Sequence, residues 1–167
     1  MDPLLLLKEV EQTGLSMWIR ESDSFLAFWL ILSVHAIGMG VLVGASLLID
    51  LRILGVAPDL PLAPFKKLYR FIWEGFWIQV VSGILLLIAY PTKSLTNLDF
   101  YLKLTLIGLG VAFMQIIKKR VFSDSIASET AMMANGRVFA IWSLIFWVGA
   151  VTAGRLLAYT YTTLTAA

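Results

Sequence analysis

A chain of 167 residues is the size of one domain, but 59% of its residues are hydrophobic, 13% aromatic and only 14% charged. A water-soluble fold of this size has too little interior to hide that much hydrocarbon, so the composition points to lipid as the solvent. No cysteine, one histidine and a formal net charge of +2 exclude disulfides, thiolate metal sites, iron–sulfur clusters, c-type haem, multi-histidine zinc sites and a b-haem held by two histidines of one chain, and give no support to nucleic-acid binding.

In chain order, the first predicted element is a short helix over residues 3–20. Leu4, Leu7, Val10, Leu15 and Trp18 give it one apolar face, which places it in a membrane interface. It is not read as a signal peptide: the leucine run is short, and Glu9 and Glu11 stand where no basic segment precedes it.

Four apolar runs of spanning length follow, at about residues 25–51, 71–90, 98–117 and 138–161. Ser22, Asp23 and Ser24 offer N-caps to the first. Steps of three and four from His35 reach Met39, Leu42, Ser46 and Asp50, a partly polar stripe that should face the interior. His35 lies eleven residues in, ~16 Å deep and near the midplane. Beside it, Ala36, Gly40 and Gly44 form a small-residue row suited to close helix approach. Pro58, Pro61 and Pro64 predict an extended connector to the second span, which Pro91 stops.

The third span opens at Asp99, carries Lys103 one or two turns in, and closes on Lys118, Lys119 and Arg120. Residues 123–136, with Met132, Met133 and a stopping Gly136, are expected to form a further interfacial helix. The fourth span carries Arg155 at a depth like that of Lys103, and Trp147 near its middle is read as packing. Asp50, Arg52, Arg70 and Glu74 are expected to pair among themselves at the other end.

Eight of the 13 Lys and Arg residues fall in two connections: Arg52, Lys66, Lys67 and Arg70, then Lys118, Lys119, Arg120 and Arg137. The positive-inside rule therefore puts both termini outside. The expected architecture is a single membrane domain over residues 1–167, an all-α integral membrane four-helix bundle with an N-terminal interfacial amphipathic helix.

Several runs are distinctive: Trp18-Ile19-Arg20-Glu21-Ser22, His35-Ala36-Ile37-Gly38, Gly44, Asp50-Leu51-Arg52-Ile53-Leu54-Gly55, Phe100-Tyr101-Leu102-Lys103 and Ala153-Gly154-Arg155-Leu156-Leu157-Ala158-Tyr159. Together they resemble an uncharacterised family of small bacterial four-helix integral membrane proteins, a domain of unknown function. The resemblance covers most of the chain and implies the four-helix fold and a bacterial inner membrane, with no established activity. More distantly, the chain is similar to the four-helix membrane protoporphyrinogen oxidase family. Its members bind b-haem and use a histidine and a lysine, which here correspond to His35 and Lys103. The chain departs from that family in having Gln115 near the place of a further histidine and no Asn-Glu pair in its last helix.

Three readings follow. In the leading one the protein binds haem b for electron transfer or other haem-linked redox work. His35 is the axial metal ligand, Lys103 and Arg155 face the propionates, and Met39 and Ser46 line the same face. The sixth position is left to a neighbour of Met39 on another helix, to His35 of a second subunit in a homodimer, or to nothing; a larger membrane complex and a quinone or other redox partner are the further partners expected. In the second, His35, Ser46 and Asp50 line a path toward the cytoplasm while Lys103 and Arg155 collect a small anionic or lipid-like ligand, without redox chemistry. In the third, the protein is an accessory scaffold subunit whose polar residues fix helix register.

Overall fold

The computed structural model describes residues 3–122 and 129–159, and among them every regular element is helical. The N-terminal segment forms two helices where one was expected, α1 (Pro3–Glu11) and α2 (Gly14–Glu21). Thr13 makes the break: its hydroxyl donates to the Val10 carbonyl at 2.7 Å and accepts from Ser16 N at 3.4 Å, so it closes one helix and caps the next. Arg20 donates to the Glu11 carbonyl at 2.7 Å and holds the two together. The pair leans on the far end of the second long helix through Ser16 Oγ and the Ala89 carbonyl, 3.3 Å apart.

The first long helix, α3 (Phe28–Ile53), starts three residues later than expected. Ser22 and Ser24 accept from Ser24 N and Leu26 N, both at 3.2 Å, and spend their hydroxyls on a turn, leaving α3 without a side-chain cap. The proline-rich connector is not extended. Gly55 at φ 98° and Ala57 at φ 52° turn the chain back, and residues Ala63–Lys67 form a 3₁₀ turn that runs into α4 (Leu68–Ala89). Pro91 stops α4 as expected and opens the five-residue α5 (Pro91–Leu95).

Asn97 caps α6 (Leu98–Val121), its side-chain oxygen accepting from Asp99 N at 2.9 Å. The fourth long helix, α7, runs unbroken over Glu129–Tyr159. Gly136 therefore does not stop a helix. It is a crossing point, where a Cβ would lie 2.6 Å from Val121 Cγ2 and 3.0 Å from Ile53 Cγ2. Residues 123–128 of the expected interfacial helix and the end of the fourth span beyond Tyr159 lie outside the described residues.

Among the described residues, α3, α4 with its 3₁₀ lead-in, α6 and α7 are long and apolar enough to cross a membrane, and less than a third of each apolar stretch is buried inside the protein. The remainder presents side chains such as Trp29, Ile37, Val81, Val138 and Val148 outward at about 60% exposure, as lipid contact requires.

Helices α3 and α4 pack together, α6 and α7 pack together, and α3 against α7 joins the pairs. Contacts step in opposite directions along each pair: His35 meets Ser82 while Leu42 meets Gly75, and Lys103 meets Gly154 while Gly110 meets Trp147. Both pairings are antiparallel. The close approach of α3 and α4 is made by Gly38 and Gly75, not by the Ala36–Gly40–Gly44 row. A Cβ on Gly75 would sit 2.7 Å from Leu42 N, whereas Gly40 and Gly44 have nothing within 4 Å.

Packing is uneven along the helices. The large buried side chains, including Ile49, Ile53, Tyr69, Ile72, Ile117 and Val121, gather at the end that carries the basic residues. Toward the other end several buried positions are small or polar, Gly38, Gln79, Ser82, Gly110, Ala150 and Ala153, with the Trp147 indole packed over Gly110.

Candidate functional site

The only histidine lies in the half away from that basic end. His35 is seven residues into α3, ~10 Å along the axis rather than the ~16 Å expected, because residues 25–27 form a turn. The ring is half-buried, with Cε1 3.4 Å from where a Cβ on Gly83 would stand, so the glycine leaves it a flat wall.

Both ring nitrogens are engaged. Nδ1 lies 2.9 Å from Ser82 Oγ, and Nε2 lies 3.4 Å from Lys103 Nζ. The Ser82 hydroxyl donates its one proton to the Ile78 carbonyl at 2.5 Å. It therefore meets the imidazole as an acceptor, which assigns the proton to Nδ1 and the lone pair to Nε2. Lys103 donates to that lone pair. Gln79 adds a bond of 2.6 Å from its amide nitrogen to the His35 carbonyl, so α4 grips the histidine through both ring and backbone.

The Lys103 stem runs over Gly154, where a Cβ would lie 3.5 Å from Cε. Its ammonium forms no ion pair among the described residues. A half-buried cation thus stands over the unprotonated nitrogen of a half-buried imidazole. In that arrangement the nitrogen lone pair and the positive charge satisfy each other, and a ligand would meet both only where the lysine turned away.

Of the residues singled out from sequence, His35 and Lys103 come together. Arg155 is level with Lys103, one residue from Gly154, but is exposed on the outer surface of α7 and does not join the pair. Met39 is half-buried against the core. Ser46 is fully buried and donates to the Leu42 carbonyl at 2.8 Å, three turns from His35. Ser82 and Gln79 complete the site and were not anticipated. Their signal was two polar residues three apart inside the apolar run of α4, the pattern that marks an interior face.

The expected pairing of Asp50, Arg52, Arg70 and Glu74 holds only in part. Arg70 Nε and Glu74 Oε1 pair at 2.7 Å. Arg52 turns instead to Glu129 of α7, and donates to the Leu60 carbonyl at 2.5 Å and the Pro58 carbonyl at 3.3 Å. The connector's return brings those carbonyls within reach, so Arg52 ties α3, the connector and α7 together and leaves Asp50 without it. Among the described residues no three His, Cys, Asp or Glu side chains gather where they could hold a metal ion.

These features define an all-helical, multi-pass membrane protein with a histidine–lysine pair between its helices. Comparison with known proteins adds no relative: no family model matches the chain, and no curated protein or solved structure is significantly similar to it.

Proposed function

We propose that this chain is a b-type haem-binding protein of the bacterial inner membrane with an electron-transfer or haem-linked redox role. The observation that carries the reading is His35, whose Nδ1 proton is held by Ser82 and whose Nε2 lone pair is turned between helices toward Lys103. Metal-ligating histidines are commonly oriented through the second ring nitrogen in this way. An apolar groove of about 440 Å³ between α3 and α4, walled by Val34, Trp77 and Val81, reaches Ser82.

His35 would supply the axial nitrogen. Lys103, on its four-carbon stem, would turn from Nε2 to a propionate, a cation–anion pairing favoured in low dielectric. When bound, the haem iron would supply one-electron chemistry. Arg155, which faces outward, takes no first contact in this reading and serves the membrane surface.

The same reading takes the four long helices as one four-helix bundle and a single domain. The resemblance to small bacterial four-helix membrane proteins supports it. Helices α1 and α2 lie in the outer interface, since they contact the Ala89–Thr92 corner and leave Leu5, Leu15 and Trp18 exposed. The basic residues at the opposite end face the cytoplasm, so both termini are outside.

The test is an absorption spectrum of protein produced with haem supplied and purified in mild detergent. A Soret band is expected, lost in His35→Ala and displaced in Ser82→Ala. Colourless protein that takes up no added haem, or a band indifferent to His35→Ala, overturns the assignment.

A further inference from the structure

Fifteen residues beyond His35 on the same helix, about 22 Å along its axis, Asp50 presents a different problem. It is 0% exposed, and among the described residues neither carboxylate oxygen has a hydrogen-bond partner.

The groups around it are known from each helix that packs there. From α4, Tyr69 faces the carboxylate, but its hydroxyl donates to the Met114 carbonyl at 3.1 Å. From α7, Ser143 faces it, 0% exposed, near enough to interact with the carboxylate but without a hydrogen bond of ordinary length. On α3 itself, Ser46 is one turn away and donates to the Leu42 carbonyl, while Arg52 is bound to Glu129 and the connector. On α6, the Lys118 ammonium lies over the Tyr69 ring, 5.4 Å from its centroid. No cationic side chain neutralises Asp50 among the described residues.

A carboxylate charge is not tolerated in an apolar interior without a partner. One positive charge must therefore join it. A divalent ion would leave the interior with an excess charge and would lack the further acidic ligands that hard divalent ions take. We propose that Asp50 and Ser143 form a buried site for one small monovalent cation, a proton or Na⁺, at the α3–α7 contact. Asp50 supplies the charge and Ser143 a hydroxyl oxygen. The site stands apart from His35 and does not depend on haem binding.

The experiment uses the full chain in mild detergent. Infrared spectra at neutral pH look for the C=O stretch of a protonated carboxyl, and thermal unfolding is followed as Na⁺ replaces choline at constant ionic strength. If the cation is a proton, wild type shows the protonated-carboxyl band, Asp50→Asn removes it and Ser143→Ala shifts it. If it is Na⁺, wild type melts higher as Na⁺ rises, and Asp50→Asn, whose neutral amide needs no counter-charge, loses that dependence while remaining folded. Wild type with neither the band nor Na⁺ dependence overturns the proposal. So does a band or Na⁺ effect that persists unchanged in Asp50→Asn. Because the wild-type readings already decide between presence and absence, an Asp50→Asn variant that failed to fold would leave Ser143→Ala to assign the band or the Na⁺ effect, and an unmoved reading there would overturn the proposal as well.

Discussion

Replacing Gly75 by alanine tests the geometry on which the histidine site rests. The added Cβ would lie 2.7 Å from Leu42 N, 3.0 Å from the Gly38 carbonyl oxygen and 3.1 Å from Leu42 Cα, against 3.4 Å or more in ordinary contact. All three neighbours are backbone atoms, so no rotamer change relieves the clash, and α3 and α4 must part by ~0.7 Å locally. Overpacking of this kind costs about 1–3 kcal/mol. Better helix propensity of alanine over glycine returns up to ~1 kcal/mol. Gly44→Ala is the matched control. Nothing lies within 4 Å of its Cβ, so it keeps the propensity gain without the clash. The two variants should differ by about 2 kcal/mol, Gly75→Ala being the less stable. Reversible unfolding in mixed micelles of mild and denaturing detergent reads the difference. Gly75, Gln79 and Ser82 share one face of α4, so parting the helices also stretches the 2.6 Å and 2.9 Å contacts to His35. The shift should appear in the histidine ring's NMR signals. If Gly75→Ala is as stable as Gly44→Ala, the α3–α4 crossing is not as described.

Two further substitutions probe how the rest of the scaffold is held. Arg52→Ala removes a guanidinium that is 3% exposed and strands the Leu60 and Pro58 carbonyls, so stability should fall by roughly 2–4 kcal/mol and proteolysis within residues 55–62 should accelerate. Arg52→Lys, with one nitrogen instead of a fork, should recover less than half of that loss. Asn97→Ala deletes the cap on Asp99 N at the start of α6 and should cost ~1 kcal/mol, seen as faster amide exchange in the first turn of that helix and not elsewhere.

The parts of the fold that sequence made legible are those set by period and composition. Four apolar runs, the stop at Pro91 and the burial of Trp147 follow from hydrocarbon content and local chemistry alone. His35 was legible as an interior group because a lone histidine in an apolar helix needs a polar partner, and Lys103 was singled out by its place just inside a span at the depth of Arg155. Which partners they find was not, because it depends on how far α3 and α6 lean together, and no residue encodes that by itself. Arg155 shows the difference. It shares a depth with Lys103, but depth follows from counting residues, while facing follows from Gly154 taking the contact one position earlier. The small-residue row failed for the same reason: Gly40 and Gly44 satisfy the spacing of a helix contact, and Gly38 and Gly75 satisfy its geometry. Ser22 and Ser24 had the chemistry of caps and spent it on a turn three residues too early.

The two ends of the helices answer different demands. At the basic end, Arg52 joins three segments and large aliphatic side chains fill the space between them, so that end resists displacement. At the other end several buried positions are small or polar, and His35 of α3 reaches Lys103 of α6. A protein selected only for stability would put leucines there, since burying two polar groups between helices gains less than packing hydrocarbon. The polar chain from Ser82 through His35 to Lys103 instead keeps an unprotonated nitrogen in an apolar surrounding, with Gly83 and Gly154 trimmed to let the ring and the lysine stem pass. Glycines placed beside the two polar residues, rather than beside each other, are what a site shaped around those side chains requires.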